Sequence, residues 1–96
     1  MAMTPEKREA LTLAREMVRD EREIFICGAL ITIQQKHPTL YDACMKLRRY
    51  IMRQLGKHHY LSQWQRGNGF PARSLAQLRR DRLAWIDWML DESKEA

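Results

Sequence analysis

Apolar residues recur along this chain at steps of three and four, the period of a helix buried on one side. Thr4-Pro5-Glu6 reads as a helix start: a hydroxyl to cap the first turn, proline where its missing N–H is harmless, then an acid at the positive dipole end. From Leu11, Ala14 and Val18 the steps continue through Phe25, Gly28 and Thr32 once Glu21 is counted. That is a heptad-like seam, and it predicts one long first helix. The runs Ile24-Phe25-Ile26-Cys27 and Leu30-Ile31-Thr32-Ile33 also carry high strand propensity, so a strand is the rival there. The seam running in register across them favours helix. His37-Pro38 ends the element, because the residue before a proline is disfavoured in the helical region.

The pattern predicts a second helix over residues 38–55, with Gly56 as its left-handed cap residue and Thr39 with Asp42 as a variant capping box. On a helical wheel Leu40, Cys44, Leu47, Ile51 and Leu55 share one face, while Lys46, Arg49, Arg53 and Lys57 share the opposite one. Ser62-Gln63-Trp64-Gln65 matches a capping box and predicts a short helix, closed by Gly67-Asn68-Gly69. Phe70-Pro71-Ala72-Arg73 is then a loop. Ser74 caps a last helix running to about Asp91, with Leu75, Leu78, Trp85, Ile86 and Met89 as its apolar stripe. The expected architecture is all-α: a small single domain over 1–96, three long helices and one short one, frayed at 1–4 and 92–96. The last helix is expected to pack Trp85, Ile86 and Met89 against the first helix's seam and the Leu47/Ile51 face of the second.

Composition agrees with a folded chain. Of 96 residues, 45% are hydrophobic and 30% charged. A chain this short buries roughly 60–65% of its unfolded surface, so its core is modest. Seventeen Lys and Arg against twelve Asp and Glu leave +5. That charge is compatible with nucleic acid, although cations and anions are interspersed. Cys27 and Cys44 sit in apolar helical contexts and read as reduced core thiols. The first apolar run follows a charged leader and, at about ten residues, is too short to span a bilayer. A cytoplasmic location follows as the expectation, with no membrane partner.

Catalytic chemistry has little to rest on. His58 and His59 are adjacent, so on a regular element they diverge, and neither has a nucleophile at a recognisable spacing. The set His37, His58, His59, Cys27 and Cys44 lacks paired metal-ligand spacing, and no Gly-rich phosphate loop leads into Lys-Ser or Lys-Thr. The expectation is a protein that is not an enzyme and holds no cofactor. The stripe Lys46, Arg49, Arg53, Lys57 is the stronger candidate, since cations on one helix face at these spacings track phosphates. The competing reading is a solvated face whose charges pair with nearby acids.

Three further features stand out. Glu21 and Arg82 occupy positions where the pattern calls for apolar residues; either they pair with each other or with neighbours across the core, or one of those faces is open to a partner. The loop 67–71 combines two glycines with Phe70-Pro71. It is either an ordinary turn with Phe70 tucked inward or an exposed docking tip of the kind a prolyl isomerase would engage. The segment 60–82 reads as helix, turn, helix: Leu61-Ser62-Gln63-Trp64, a loop with Pro71-Ala72-Arg73, then Ser74-Leu75-Ala76-Gln77-Leu78-Arg79-Arg80. That order resembles the helix-turn-helix opening of phage excisionases. The resemblance implies that Gln77, Arg79 and Arg80 face bases or phosphates. Where an excisionase would turn into a strand hairpin, this helix continues through Leu83-Ala84-Trp85-Ile86-Asp87-Trp88.

Taken whole, the chain resembles the small helical accessory proteins of the early regions of enterobacterial phages and prophages. The segments that carry the likeness are Ala14-Arg15-Glu16-Met17-Val18-Arg19-Asp20-Glu21, the stretch from Phe25 to Leu30, and Arg82-Leu83-Ala84-Trp85-Ile86-Asp87-Trp88-Met89. That class includes the phage anti-RecBCD proteins, and the resemblance implies a non-enzymatic protein that modulates or inhibits a host DNA-processing enzyme. The expected binding residues are Lys46, Arg49, Arg53, Lys57, Trp64, Phe70, Pro71, Arg73, Gln77, Arg79 and Arg80. Direct DNA binding through 60–82 is the alternative, and an oligomer formed through the first helix's seam is a third class.

Overall fold

Thr4 opens the first helix as its sequence predicts: the hydroxyl accepts the Lys7 backbone N–H at 3.1 Å and Pro5 occupies the first turn. The computed structural model describes residues 2–54 and 74–95 of the chain. In it, α1 spans Pro5–Arg19, α2 Ile26–Lys36, a single 3-10 turn Pro38–Leu40, α3 Tyr41–Gln54 and α4 Leu75–Glu95. Every regular element among the described residues is helical, so the chain is all-α. The expected short helix at 62–65 and the loop 67–73 lie outside the described residues.

The predicted long first helix is two helices. After Arg19 the chain has four charged residues in a row, Asp20 to Glu23, and no apolar group to hold another turn against the core. Glu21 takes a left-handed backbone with φ of 63°. The Arg22 N–H then reaches back to the Met17 carbonyl at 3.0 Å and the Glu21 N–H to the Val18 carbonyl at 3.3 Å. That pair of bonds is a Schellman ending, with glutamate at the position glycine usually fills. So Glu21 in the seam marks a helix stop, not a buried charge. Beyond the break the phase resets. Ile26, Cys27, Ala29, Leu30 and Ile33 are buried, while the expected seam residues Phe25, Gly28 and Thr32 are only partly covered.

The joint is held from within. One Glu23 carboxylate oxygen accepts the N–H groups of Ile24 and Phe25 at 3.0 and 3.2 Å, placing an anion over the start of α2. Gly28 makes room for it, since a Cβ there would stand 2.8 Å from that carboxylate.

α1 is the central helix, packing on α2, α4 and α3. Ala10, Leu11, Ala14 and Val18 are fully buried, and the two alanines let neighbouring helices approach closely. α3 contributes Cys44, Leu47 and Ile51 to the core, with Leu40 from the 3-10 turn, as the wheel predicts. Both cysteines are free and buried, and burial pushes the Cys44 thiol up from its ordinary pKa. The expected Thr39–Asp42 box gives way to a pair within α3, in which Asp42 meets the Lys46 ammonium at 2.9 Å.

α4 begins with a full capping box. The Gln77 N–H donates to the Ser74 hydroxyl at 3.2 Å and the Ser74 N–H donates to the Gln77 side-chain oxygen at 3.0 Å. Leu78, Ile86 and Met89 are buried, but Leu75 is 60% exposed and does not belong to the stripe. α4 packs chiefly on α1, as expected, and its Ile86 and Met89 share one core cluster with Leu47 and Ile51 of α3. It also continues to Glu95, through a segment expected to fray. At the other terminus the Lys7 ammonium holds the Ala2 carbonyl at 2.7 Å and Met3 packs on the core, which ties down residues expected to be loose.

Candidate binding surface

α1 and α4 run antiparallel and are fastened by arginines. Arg15 makes a forked pair with Asp87, at 2.7 and 3.3 Å, and the hydrogen bond to Asp87 raises the Arg15 pKa. Nearer the joint, Arg79 Nε donates to the Val18 carbonyl at 2.9 Å and its Nη1 lies 3.5 Å from Glu21. A guanidinium at the negative end of α1 is well placed electrostatically. Arg82 is 1% exposed, donates to the Leu78 carbonyl at 3.3 Å, and stands over the rings of Phe25 and Trp85 at 5.2 and 5.4 Å. Burial lowers its pKa from the ordinary value, while the Asp81 carboxylate acts in the opposite direction. Of the two expected pairings, Glu21 and Arg82 therefore meet neighbours and not each other. Glu21 is largely exposed and its partner is Arg79.

These contacts revise the recognition-helix expectation. Arg79, assigned to bases or phosphates, is committed to the end of α1, and its side chain is only 19% exposed. Gln77 is folded back onto Ser74. Arg80 alone of the three points into solvent without a fold-internal bond among the described residues. Lys57, Trp64, Phe70, Pro71 and Arg73 lie outside the described residues, as does the suggested prolyl-isomerase loop.

α3 is different. Lys46, Arg49 and Arg53 are exposed on the side opposite Leu47 and Ile51, as expected. Lys46 is paired with Asp42, whereas Arg49 and Arg53 have no ion-pair partner among the described residues. Four cations less one carboxylate, Lys46, Arg48, Arg49 and Arg53 against Asp42, leave the helix at +3.

The sequence reading missed what lies beside this stripe. Tyr41, Met45, Arg48 and Met52 follow steps of four, three and four, a second seam about a third of a turn from the first. It faces outward: Tyr41 and Met52 are more than half exposed and Met45 is partly so. Arg48 spans to α2, donating to the Gln34 side-chain oxygen at 3.3 Å and lying 3.4 Å from the Met45 sulfur. Together Met45, Arg48, Arg49, Met52 and Arg53 line a groove of about 560 Å³. On the far side of the Arg49/Arg53 ridge a second, more polar groove of about 470 Å³ reaches Lys7 and Lys46.

Among the described residues no group of His, Cys, Asp or Glu converges as metal ligands would. No described helix is long and apolar enough to cross a membrane. No family model matches the chain, and neither a curated protein nor a solved structure matches it.

Proposed function

We propose that this is a non-enzymatic accessory protein that works in the cytoplasm by docking on a protein of a host's DNA-processing machinery, for example a recombination nuclease such as RecBCD, and modulating or inhibiting it. The observation that carries the docking role is the outer side of α3. There an exposed apolar row with two methionines and a tyrosine runs beside arginines that have no ion-pair partner among the described residues. Methionine, tyrosine and arginine are the residues enriched in protein interfaces, and thioethers adapt to the shape of what they meet. The class of partner follows from the resemblance to phage early-region accessory proteins. The test is capture from a nuclease-treated host lysate. One dominant DNA-processing protein should be retained by the wild type and lost with Arg49→Glu/Arg53→Glu; retention that survives the double variant, or that is seen only in a lysate not treated with nuclease, would overturn the reading.

Direct DNA binding is the second reading. It is favoured by Arg49 and Arg53, whose charges are available to phosphates, and it draws no support from Arg79, which is engaged within the fold. Under it, duplex DNA should be shifted at low salt with an affinity falling steeply as salt rises. Absence of a shift at low salt would eliminate it.

A further inference from the structure

We infer that the α3 groove takes an acidic amphipathic helix, with the helix's apolar residues on Met45 and Met52 and its carboxylates on Arg49 and Arg53. This rests on α3 being the docking face and goes on to name what occupies it. Met45 and Met52 are seven residues apart, so they stand two turns and about 10 Å apart along the axis. That is the interval at which a helix laid alongside presents its own i, i+3, i+4 and i+7 anchors. The row is therefore matched to a helix rather than to an extended strand, whose same-face residues recur about every 7 Å.

Charge selects the kind of helix. α3 carries +3, and its ridge of Arg49 and Arg53 flanks the apolar row along one side. A second copy of this face would set those cations against one another, which disfavours self-association through it. A helix with acids flanking its apolar face would instead complete the pairs that Arg49 and Arg53 lack among the described residues. Nucleic acid would use the arginines and leave the methionine row without a role, since phosphates gain nothing from thioethers. Arg48, which lines the groove between the two methionines, is already tied to Gln34 on α2, so that side chain is held in place before a helix arrives.

The probe is a fluorescein-labelled three-heptad peptide with leucine at both core positions and glutamate at both flanking positions, whose acids keep it from pairing with itself at neutral pH. It is titrated with the full chain by fluorescence anisotropy, beside a scrambled peptide of the same composition and a lysine-flanked version. The acidic helix should bind at least about tenfold more tightly than the scrambled peptide, and Met52→Ser should weaken it by about tenfold, as loss of an interface anchor does. Arg49→Glu/Arg53→Glu should reverse the preference toward the lysine-flanked peptide. Circular dichroism serves as the fold control for both variants, whose altered residues are exposed. Equal binding of the scrambled peptide, indifference to Met52→Ser, or a Met52-dependent dimer in sedimentation would each overturn the inference. Peptide binding without capture of a host protein would sink the proposed function and leave the groove assignment standing. Capture indifferent to Met52→Ser would do the reverse.

Discussion

α3 and α4 are both arginine-rich helices, yet they use their arginines in opposite ways. In α4, Arg79 and Arg82 turn into the fold; in α3, Arg49 and Arg53 turn out of it. The difference lies in what each helix meets. α4 crosses the α1–α2 joint, where the end of α1 offers a backbone carbonyl and Phe25 offers a ring face to a cation arriving from α4. A guanidinium there replaces lost water with hydrogen bonds and π-faces. α3 meets α1 and α2 through an apolar face of Cys44, Leu47 and Ile51, so Arg49 and Arg53 on the opposite side find no acceptor inside and remain in solvent, while Arg48 between the two faces reaches Gln34. A basic helix in sequence is thus no indication of a binding helix. The neighbour's chemistry decides which cations are structural.

That contrast can be broken most sharply at Arg82. Arg82→Glu should destabilise the fold by about 3–5 kcal/mol, because a carboxylate would be buried against ring faces and the Leu78 carbonyl. Urea unfolding should show a large fall in midpoint, and an unchanged midpoint would mean that Arg82 is not held inside. Arg79→Ala should cost about 1–2 kcal/mol through the lost bond to Val18. This loss should be nearly independent of salt, because the exposed Glu21 contact contributes little. Glu21→Gly has the opposite sign. Relief of the left-handed backbone should stabilise by about 1 kcal/mol despite removal of the contact with Arg79, raising the thermal midpoint by several degrees. At the small end, Arg49→Ala and Arg53→Ala should each change stability by no more than about 0.5 kcal/mol, whatever they do to binding. A cost like that of Arg79→Ala would erase the distinction between the two helices.

Much of this was legible in the chain, and the failures have particular causes. The caps at Thr4 and Ser74 and the buried face of α3 depend on residues within one or two turns of each other, which a sequence displays directly. The break at 20–25 is hidden in the pattern because Glu21 falls in the seam's register, although the run Asp20 to Glu23 contains no apolar residue and is the signal for it. Leu75 joins the expected stripe because its spacing from Leu78 is helical, yet it is exposed while Leu78 is buried, and spacing alone does not say where a helix's cover begins. The outward row of Tyr41, Met45 and Met52 was visible as spacing. The stronger inner face accounts for the helix without it, so the spacing alone gives no reason to single it out.

By itself, then, the sequence determined the helical class, the local caps, the core side of α3 and the exposure of its cations. Each follows from side chains acting on their own turn or from an apolar period too regular to have another solution. Only the tertiary structure decided that Arg79 and Arg82 serve the fold and that Glu21 belongs to Arg79 rather than Arg82. It also decided that a second face of α3 stays uncovered. Those outcomes depend on which carbonyls, rings and empty surfaces distant segments bring together, and the spacing of residues along one helix carries no information about its neighbours.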